Sequence, residues 1–401
     1  MNHRELASEF GTPLYVYDAT KISRNLKLIN NSIAYEPMQI HFACMSNTNV
    51  EILRLLRELG SGVHACTAGQ YAIAKHAGFR GSEIVVTGCN LTDDDIRRVA
   101  DAGVYLNADS LGQLERYLSV GEVQEVGIRI NPSVHKLEGV INVAVGPDAR
   151  VGISPSQLDQ ARTIAAHYDA KIVGAHTYVG TGIRDEEYML HVLDSLLHSA
   201  SHLPDLRYVD IGGGFSIPYE AEEKPFNWSV YGPGVRARFD NLSKGRKPKI
   251  MLLLEPGRAI IGDAGTLIAR VVDVKRNNGH VFVGTDTGFS NFPRPYIYGK
   301  FHRVSLITDD PRSPATGVAI CGNTVAANDF LAKGLTLPMP KVGDLIAIHD
   351  VGAYSFSMSS SFCSVPRPAE VLIDDGQARL IRNRETIDDL VLNALPPEEQ
   401  P

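Results

Sequence analysis

The stretch "QIHFACMSNTNVEILRLLRELG" (residues 39–60) reads as one strand turning into one helix. Phe42, Ala43 and Cys44 form the end of a short apolar run, and Ser46-Asn47-Thr48-Asn49 is a polar corner. Val50, Ile52, Leu53, Leu55 and Leu56 then recur at helical spacing. In a parallel α/β barrel the carboxyl end of such a strand faces the chemistry. Met45 stands at that corner, and methionine has neither a proton to give nor a useful nucleophile.

The same unit repeats outward. "SGVHAC", "EIVVTG", "GVYLNAD", "EVGIRIN", "KIVGAHTYV", "RYVDIGG" and "KIMLLLEPG" are further strand candidates, separated by amphipathic stretches such as "AGQYAIAKHAGF" and "PSQLDQARTIAAHY". Eight strands alternating with helices predict a (β/α)8 TIM-like barrel over residues 35–265. After 265 the pattern changes to short strands and turns ("TLIARVVDVKR", "HVFVGTD", "RVSLIT", "GVAICGN", "DLIAIHD", "AEVLIDDG", "QARLIRN"), which predicts a separate β domain over 266–395. "PLYVYD" (13–18), in the N-terminal segment 1–34, is a lone early strand suited to joining it, and 396–401 read as a disordered tail.

At 401 residues the chain is long enough for two domains, and its 44% hydrophobic and 21% charged content is ordinary for a globular protein. A formal net charge of −7 gives no reason to expect nucleic acid or an anionic membrane as partner. No apolar run approaches the roughly 20 residues of a membrane helix, and the N-terminus lacks the apolar segment of a signal peptide. Cys44, Cys66, Cys89, Cys321 and Cys363 show no metal-ligand spacing and suit reduced thiols, so a cytoplasmic enzyme without a metal is expected.

Two motifs carry chemistry. "VDIGGGFSIPY" puts Gly212, Gly213 and Gly214 directly after a strand, where backbone N–H groups can close around a phosphate, although a glycine run is also a common tight turn. "LLLEPGRAI" ends a very apolar strand in Glu255-Pro256-Gly257-Arg258. A buried carboxylate needs a partner: either Glu255 and Arg258 pair with each other, or Glu255 meets a cationic ring nitrogen and Arg258 a phosphate. The glycine loop beside it favours the second reading.

With these residues the chain resembles the fold-type III pyridoxal-phosphate (PLP) enzymes, specifically the diaminopimelate, ornithine and arginine decarboxylase group. "GTPLYVYD", "RINP", "GAHTYVGTG" (where that family has GLHCHIGSQ), "RPYIYGKFH" (RPxLYxxxH) and "VGAYSFSMSSSFCSVPRPAEVL" (GAYxxxMxxxYNxxPRPxEVL) follow in family order over nearly the whole length. The resemblance implies the alanine-racemase/ornithine-decarboxylase architecture, PLP as cofactor, an amino acid as substrate and a homodimer with shared active sites. It implies that Gly212 to Gly214, Arg258 and Thr181 hold the phosphate, that Gly257 belongs to the cofactor site and that Glu255 meets the protonated ring nitrogen. Tyr178 stands where relatives stack a histidine on the ring, and Arg129 supports the ring-hydroxyl side. Arg294 and Tyr298 would take the substrate carboxylate, and Tyr354 would reach the cofactor from the partner subunit. His176 and His302 read as structural, and "EEKPFNW" with Trp228 as a lid or dimer contact.

The departures are specific. Where relatives read YAVKANSN, this chain has Phe42-Ala43-Cys44-Met45-Ser46-Asn47, so Met45 takes the place of the Schiff-base lysine. Lys27 and Lys75 lie on predicted helices and cannot replace it. In "CGNTVAANDFL", against GPxCESxD, Val325 falls at the proton-donor cysteine and Ala326 at the glutamate. Gln70 replaces a glutamate, and His64 an aspartate. The missing glutamate argues against diaminopimelate itself; Asp329 is a candidate for a distal amine, or alternatively caps a helix over "DFLAKGL".

Losing the lysine removes both the covalent anchor and an acid/base at the substrate carbon. The expectation is therefore a PLP-dependent amino-acid decarboxylase, inactive or substrate-trapping in this form. Met45 is either a block placed on a working enzyme or native to a lysine-free relative, and the intact cradle favours the first. Two alternatives stay open: another PLP reaction at the α-carbon, such as racemisation or carbanion transfer, and a non-catalytic binding homologue.

Overall fold

The fold is that of a computed structural model describing residues 1–392 except 133, 136, 139–143, 147, 221 and 301. The expected tail at 396–401 lies outside the described residues. Contacts divide the chain into two units: Ser23–Pro218 with Lys224–Ile260, and Met1–Ile22 with Tyr219–Glu223 and everything from Ile261 onward. The divisions thus fall at 22/23 and 260/261, rather than at 34/35 and 265/266. Residues 23–34 go with the first unit because their helix, Ala19–Ile33, ends against the helix Trp228–Leu242. There Gly232 approaches the Ser32 carbonyl so closely that a Cβ would sit 2.1 Å from it.

In the second unit a first strand, β1 (Leu14–Asp18), precedes the barrel strands in the chain. The barrel itself is β2 (Met38–Ala43), β3 (Gly62–Ala65), β4 (Ile84–Val86), β5 (Tyr105–Ala108), β6 (Glu125–Arg129), β7 (Lys171–His176), β8 (Tyr208–Asp210) and β9 (Met251–Leu254). They close in chain order, all parallel, with β9 returning to β2 through the Met38–Leu252 pairing. Seven lie within the apolar runs expected from sequence, and β2 begins one residue before its run, at Met38. Buried on both faces, such strands need continuous apolar residues rather than alternation.

The corner after each of the first strands stops the strand and starts a helix. Asn49, Thr67, Thr92 and Ser110 each accept a backbone N–H from the first turn that follows. The barrel interior is filled by Tyr208, whose hydroxyl donates to Asn107 Oδ1 at 2.8 Å. Gly127 and Gly174 are glycines for that reason, since a Cβ on Gly174 would lie 1.9 Å from the Tyr208 ring. Trp228 is buried in this unit against Phe215 and Phe226, with ring centroids 4.7 and 4.9 Å away. It belongs to an aromatic core, not to the lid or dimer contact expected.

The other unit is a nine-stranded sheet in which β1 does join, antiparallel to β10 (Gly265–Asn277) and parallel to β16 (Ala369–Asp374). The remaining strands are β11 (His280–Thr285), β12 (Val304–Ile307), β13 (Pro314–Cys321), β14 (Phe330–Pro338), β15 (Leu345–His349) and β17 (Gln377–Arg382). Leu6, Leu14, Val16, Ile268, Leu345 and Val371 form one of its apolar clusters. One expectation fails here: "DFLAKGL" is no helix but the start of β14, paired antiparallel with β13. Asp329 therefore caps no helix.

Candidate active site

At the carboxyl end of the barrel strands, β8 and β9 present the two motifs read from sequence. Asp210 ends β8, and the loop that follows leaves no room for side chains. A Cβ on Gly212 would lie 2.2 Å from the Thr177 carbonyl oxygen, one on Gly213 2.3 Å from that of Glu255, and one on Gly214 2.4 Å from that of Gly180. Gly212 and Gly214 also have φ of +65° and +102°, which L side chains resist. The Gly214 carbonyl accepts the N–H groups of Gly182 and Ile183 at 3.0 Å each, tying this loop to the one after β7. Thr181, on that neighbouring loop, accepts from Arg258 Nη2 at 3.4 Å, and both side chains are buried. The glycine loop, Thr181 and Arg258 thus form one basic, backbone-rich pocket. Gly257 lets the chain pass Ser46, whose Oγ would lie 2.8 Å from a Cβ there.

Beneath this pocket lies a buried polar group. Glu255 follows β9, and its Oε2 lies 3.2 Å from His176 Nε2 and its Oε1 3.5 Å from His64 Nε2. Burial pushes the Glu255 carboxyl up to about 7, against opposing effects of Asp210 and Arg129. Asp210 is raised well above the usual carboxylate range, first by burial and then by the Glu255 charge, although its Oδ1 accepts the Gly212 N–H at 2.9 Å. His176 is lowered to about 4 by burial, and His64 is pushed well below its ordinary value by burial and by the nearby His176, His41 and Arg129. Both imidazoles are neutral.

Glu255 Oε1 has no hydrogen-bond donor among the described residues. A buried carboxyl in that condition calls for a cationic N–H, which a protonated pyridine nitrogen supplies. The glycine loop offers the matching phosphate cradle, so these residues fit pyridoxal phosphate. Ligand atoms of His176, Asp210 and Glu255 lie within 4.8 Å of one another, close enough to gather a metal ion. Burial, which favours the neutral forms of both carboxyls, opposes such an ion.

Arg129, at the end of β6, donates to Asp109 Oδ1 at 3.1 Å and lies 5.9 Å from the centroid of the half-buried Tyr178 ring. Met45 sits half-buried in a single 3-10 turn (Cys44–Ser46) at the end of β2. Ser46 Oγ closes that turn on the Ala43 carbonyl at 2.7 Å. The barrel unit thus brings together Met45, Arg129, Tyr178, Thr181, the three glycines, Glu255, Gly257 and Arg258. Sequence reasoning missed Asp210 and Asp109. His64 reads in the sequence only as a departure, with no signal that it faces Glu255 from another strand.

The other expected residues lie in the β unit. Arg294 and Tyr298 share one short helix (Arg294–Tyr298) four residues apart, hence on one face. Arg294 is buried, and its Nε donates to His302 Nε2 at 3.0 Å. Tyr354 adopts a left-handed φ of +57°. Val325 is 94% exposed at the tip of the turn between β13 and β14. Asp329 is buried and its carboxylate is engaged inside the unit: Oδ1 accepts Phe289 N–H at 2.8 Å, and Oδ2 accepts Thr324 N–H at 3.1 Å and Thr324 Oγ1–H at 2.6 Å. Its role is to hold this turn, which argues against its meeting a substrate amine.

Comparison with known proteins bears on the family and the fold. The family described as "Pyridoxal-dependent decarboxylase, pyridoxal binding domain" matches residues 19–262. Diaminopimelate decarboxylase from Methanothermobacter thermautotrophicus is 35% identical over 96% of this chain and 92% of its own length. The Escherichia coli K12 diaminopimelate decarboxylase is 30% identical over 97% of this chain and 95% of its own. The crystal structure of the Helicobacter pylori diaminopimelate decarboxylase complexed with L-lysine superposes with a TM-score of 0.90 at 28% identity, covering 97% of this chain and 98% of that one.

Proposed function

The chain belongs to the pyridoxal-dependent decarboxylases, and from that premise we propose that it is an amino-acid decarboxylase-type protein that holds its cofactor without a covalent link. The observation that carries this is the complete cradle, Gly212 to Gly214, Thr181, Arg258 and Glu255, beside a Met45 that cannot form the Schiff base. When bound, pyridoxal phosphate supplies an electron sink for the amino-acid α-carbon. The glycine loop with Thr181 and Arg258 binds its phosphate. Glu255, with Asp210 beside it, holds the proton on the ring nitrogen. Tyr178 offers an aromatic face and Arg129 supports the ring-hydroxyl side. Within the β unit, Arg294 and Tyr298 offer a guanidinium and a hydroxyl suited to a substrate carboxylate, and Tyr354 is the residue that a partner subunit would contribute.

Neither Met45 nor Val325 carries an exchangeable proton, so neither can deliver one to a reacting carbon. Met45 is the block on turnover, and Val325 marks a native reaction whose proton comes from elsewhere. Val325 also favours the second reading, a lysine-free homologue that binds cofactor without turnover, because both proton-handling positions are apolar. Ala326 and the internally engaged Asp329 support a substrate whose distal end is not held by a carboxylate there. The exposed Val325, Tyr296, Ile297 and Phe362 support burial against a second copy in a homodimer. Five free thiols support a reducing compartment, the cytoplasm.

The test is CO2 release and product analysis for Met45→Lys and the parent chain over a panel of L- and D-amino acids with pyridoxal phosphate. Release from one amino acid by the lysine form alone is expected. An inactive lysine form that binds cofactor would favour the non-catalytic homologue.

A further inference from the structure

Arg294 is buried, so its charge must be oriented before any ligand arrives or it will turn toward whatever acceptor the unit offers. Side chains of the same unit orient it, His302 and Tyr219 among them. His302 Nε2 accepts the Arg294 Nε–H at 3.0 Å, while His302 Nδ1 lies 2.9 Å from the His349 carbonyl oxygen. A carbonyl only accepts, so Nδ1 carries the hydrogen and Nε2 is the bare nitrogen. Both contacts demand the same neutral tautomer, and an imidazolium at this place would have no acceptor for Arg294.

The second side chain arrives from elsewhere in the sequence. Five residues after Gly214 the chain reaches Tyr219, and the segment Tyr219–Glu223 belongs to the β unit although the residues on either side of it do not. The Glu223 carboxylate accepts the Tyr219 N–H at 2.8 Å and fixes the turn. The Tyr219 ring lies 5.0 Å from the Arg294 guanidinium carbon and 4.7 Å from the His302 ring centroid. Phe292 packs edge-on against His302 at 5.0 Å. The guanidinium therefore has an aromatic ring on its flank and its Nε tied, a geometry that directs it as a planar fork.

We infer that Tyr219 and His302 are positioning residues for Arg294, setting the guanidinium for the carboxylate of an amino-acid substrate; this rests on the proposed role of Arg294. Neither touches substrate or cofactor in this role. Its consequence is selectivity: the pair determines how strongly the protein prefers a ligand with the α-carboxylate over the same ligand without it.

The experiment compares the parent chain's affinity for reduced phosphopyridoxyl-L-lysine, linked through the α-nitrogen, with that for phosphopyridoxyl-cadaverine, which lacks only the carboxylate. The preference for the first should fall about tenfold or more in Tyr219→Leu and His302→Leu, as in Arg294→Gln, and return in Tyr219→Phe. Unchanged affinity for the cadaverine conjugate establishes that each variant is folded. The imidazole nitrogen shifts of His302 in the parent should report a protonated Nδ1 and a bare Nε2. A preference that falls in Arg294→Gln but not in Tyr219→Leu overturns the positioning role, as does an Nε2–H tautomer. A preference unmoved in Arg294→Gln shows instead that the carboxylate role of Arg294 is wrong, and the inference falls with it.

Discussion

Glu255 is held in a place that favours its neutral form until a cation arrives. Its carboxyl is raised from 4.5 to about 7 by burial, so the folded chain binds that proton more tightly than the unfolded chain. The stability it contributes is complete below the unfolded value and is lost as pH rises from about 4.5 through 7. His176 runs the other way: lowered from 6.5 to about 4, it stabilises above 6.5 and loses this as pH falls through 4. Cofactor-free Glu255→Gln should therefore lack the decline between pH 4.5 and 7, and should be more stable than the parent at pH 8 by about 3 kcal/mol. The acid limb from His176 should remain. Urea unfolding across pH measures both, and parallel profiles would contradict the assignment. The variant should also bind pyridoxal phosphate more weakly. Glu255 was legible in sequence because a charge ending so apolar a strand is conspicuous. Asp210 and His64 were not, because which neighbours a barrel residue meets depends on strands distant in sequence.

The glycine loop and the turn at Asp329 behave as designed elements. Gly213→Ala would place a methyl 2.3 Å from the Glu255 carbonyl oxygen, a backbone atom that cannot yield without moving the EPGR corner. That substitution should cost about 2–4 kcal/mol of stability and abolish detectable cofactor binding, as read by unfolding and by titration of the visible absorbance. A neutral Gly213→Ala would show that the loop is no tight cradle. Asp329→Ala strands three donors, Phe289 N–H, Thr324 N–H and Thr324 Oγ1–H, and should cost about 1–3 kcal/mol by the same unfolding measurement. Element boundaries repeat the lesson of scale. The barrel strands were legible because each apolar run ends in small or capping residues. The segment 329–335 was misread because Leu331, Ala332, Lys333 and Leu335 suit a helix locally. Its pairing with β13, Leu335 facing Val318, overrides that preference.

At the scale of the molecule, the eight-stranded closed barrel and the mixed sheet with β1 between β10 and β16 are the architecture the alternating and then helix-poor sequence implied. What composition could not supply was the allocation of residues 219–223, since that depends on packing and not on local pattern. The β unit leaves Val325, Tyr296, Ile297 and Phe362 in water. Light scattering should return twice the 43.7 kDa chain mass, and Val325→Lys with Phe362→Lys should shift it toward one chain; a monomeric parent would refute the proposed dimer. The decisive observation concerns the bond that Met45 cannot make. This chain and Met45→Lys would each be loaded with pyridoxal phosphate, freed of excess, treated with borohydride, denatured and weighed. Both should take up one equivalent, the parent should release all of it on denaturation, and only the lysine form should keep it, on residue 45. A parent that takes up none, or that keeps it on Lys27, Lys75 or any other lysine, would contradict a non-covalent cradle.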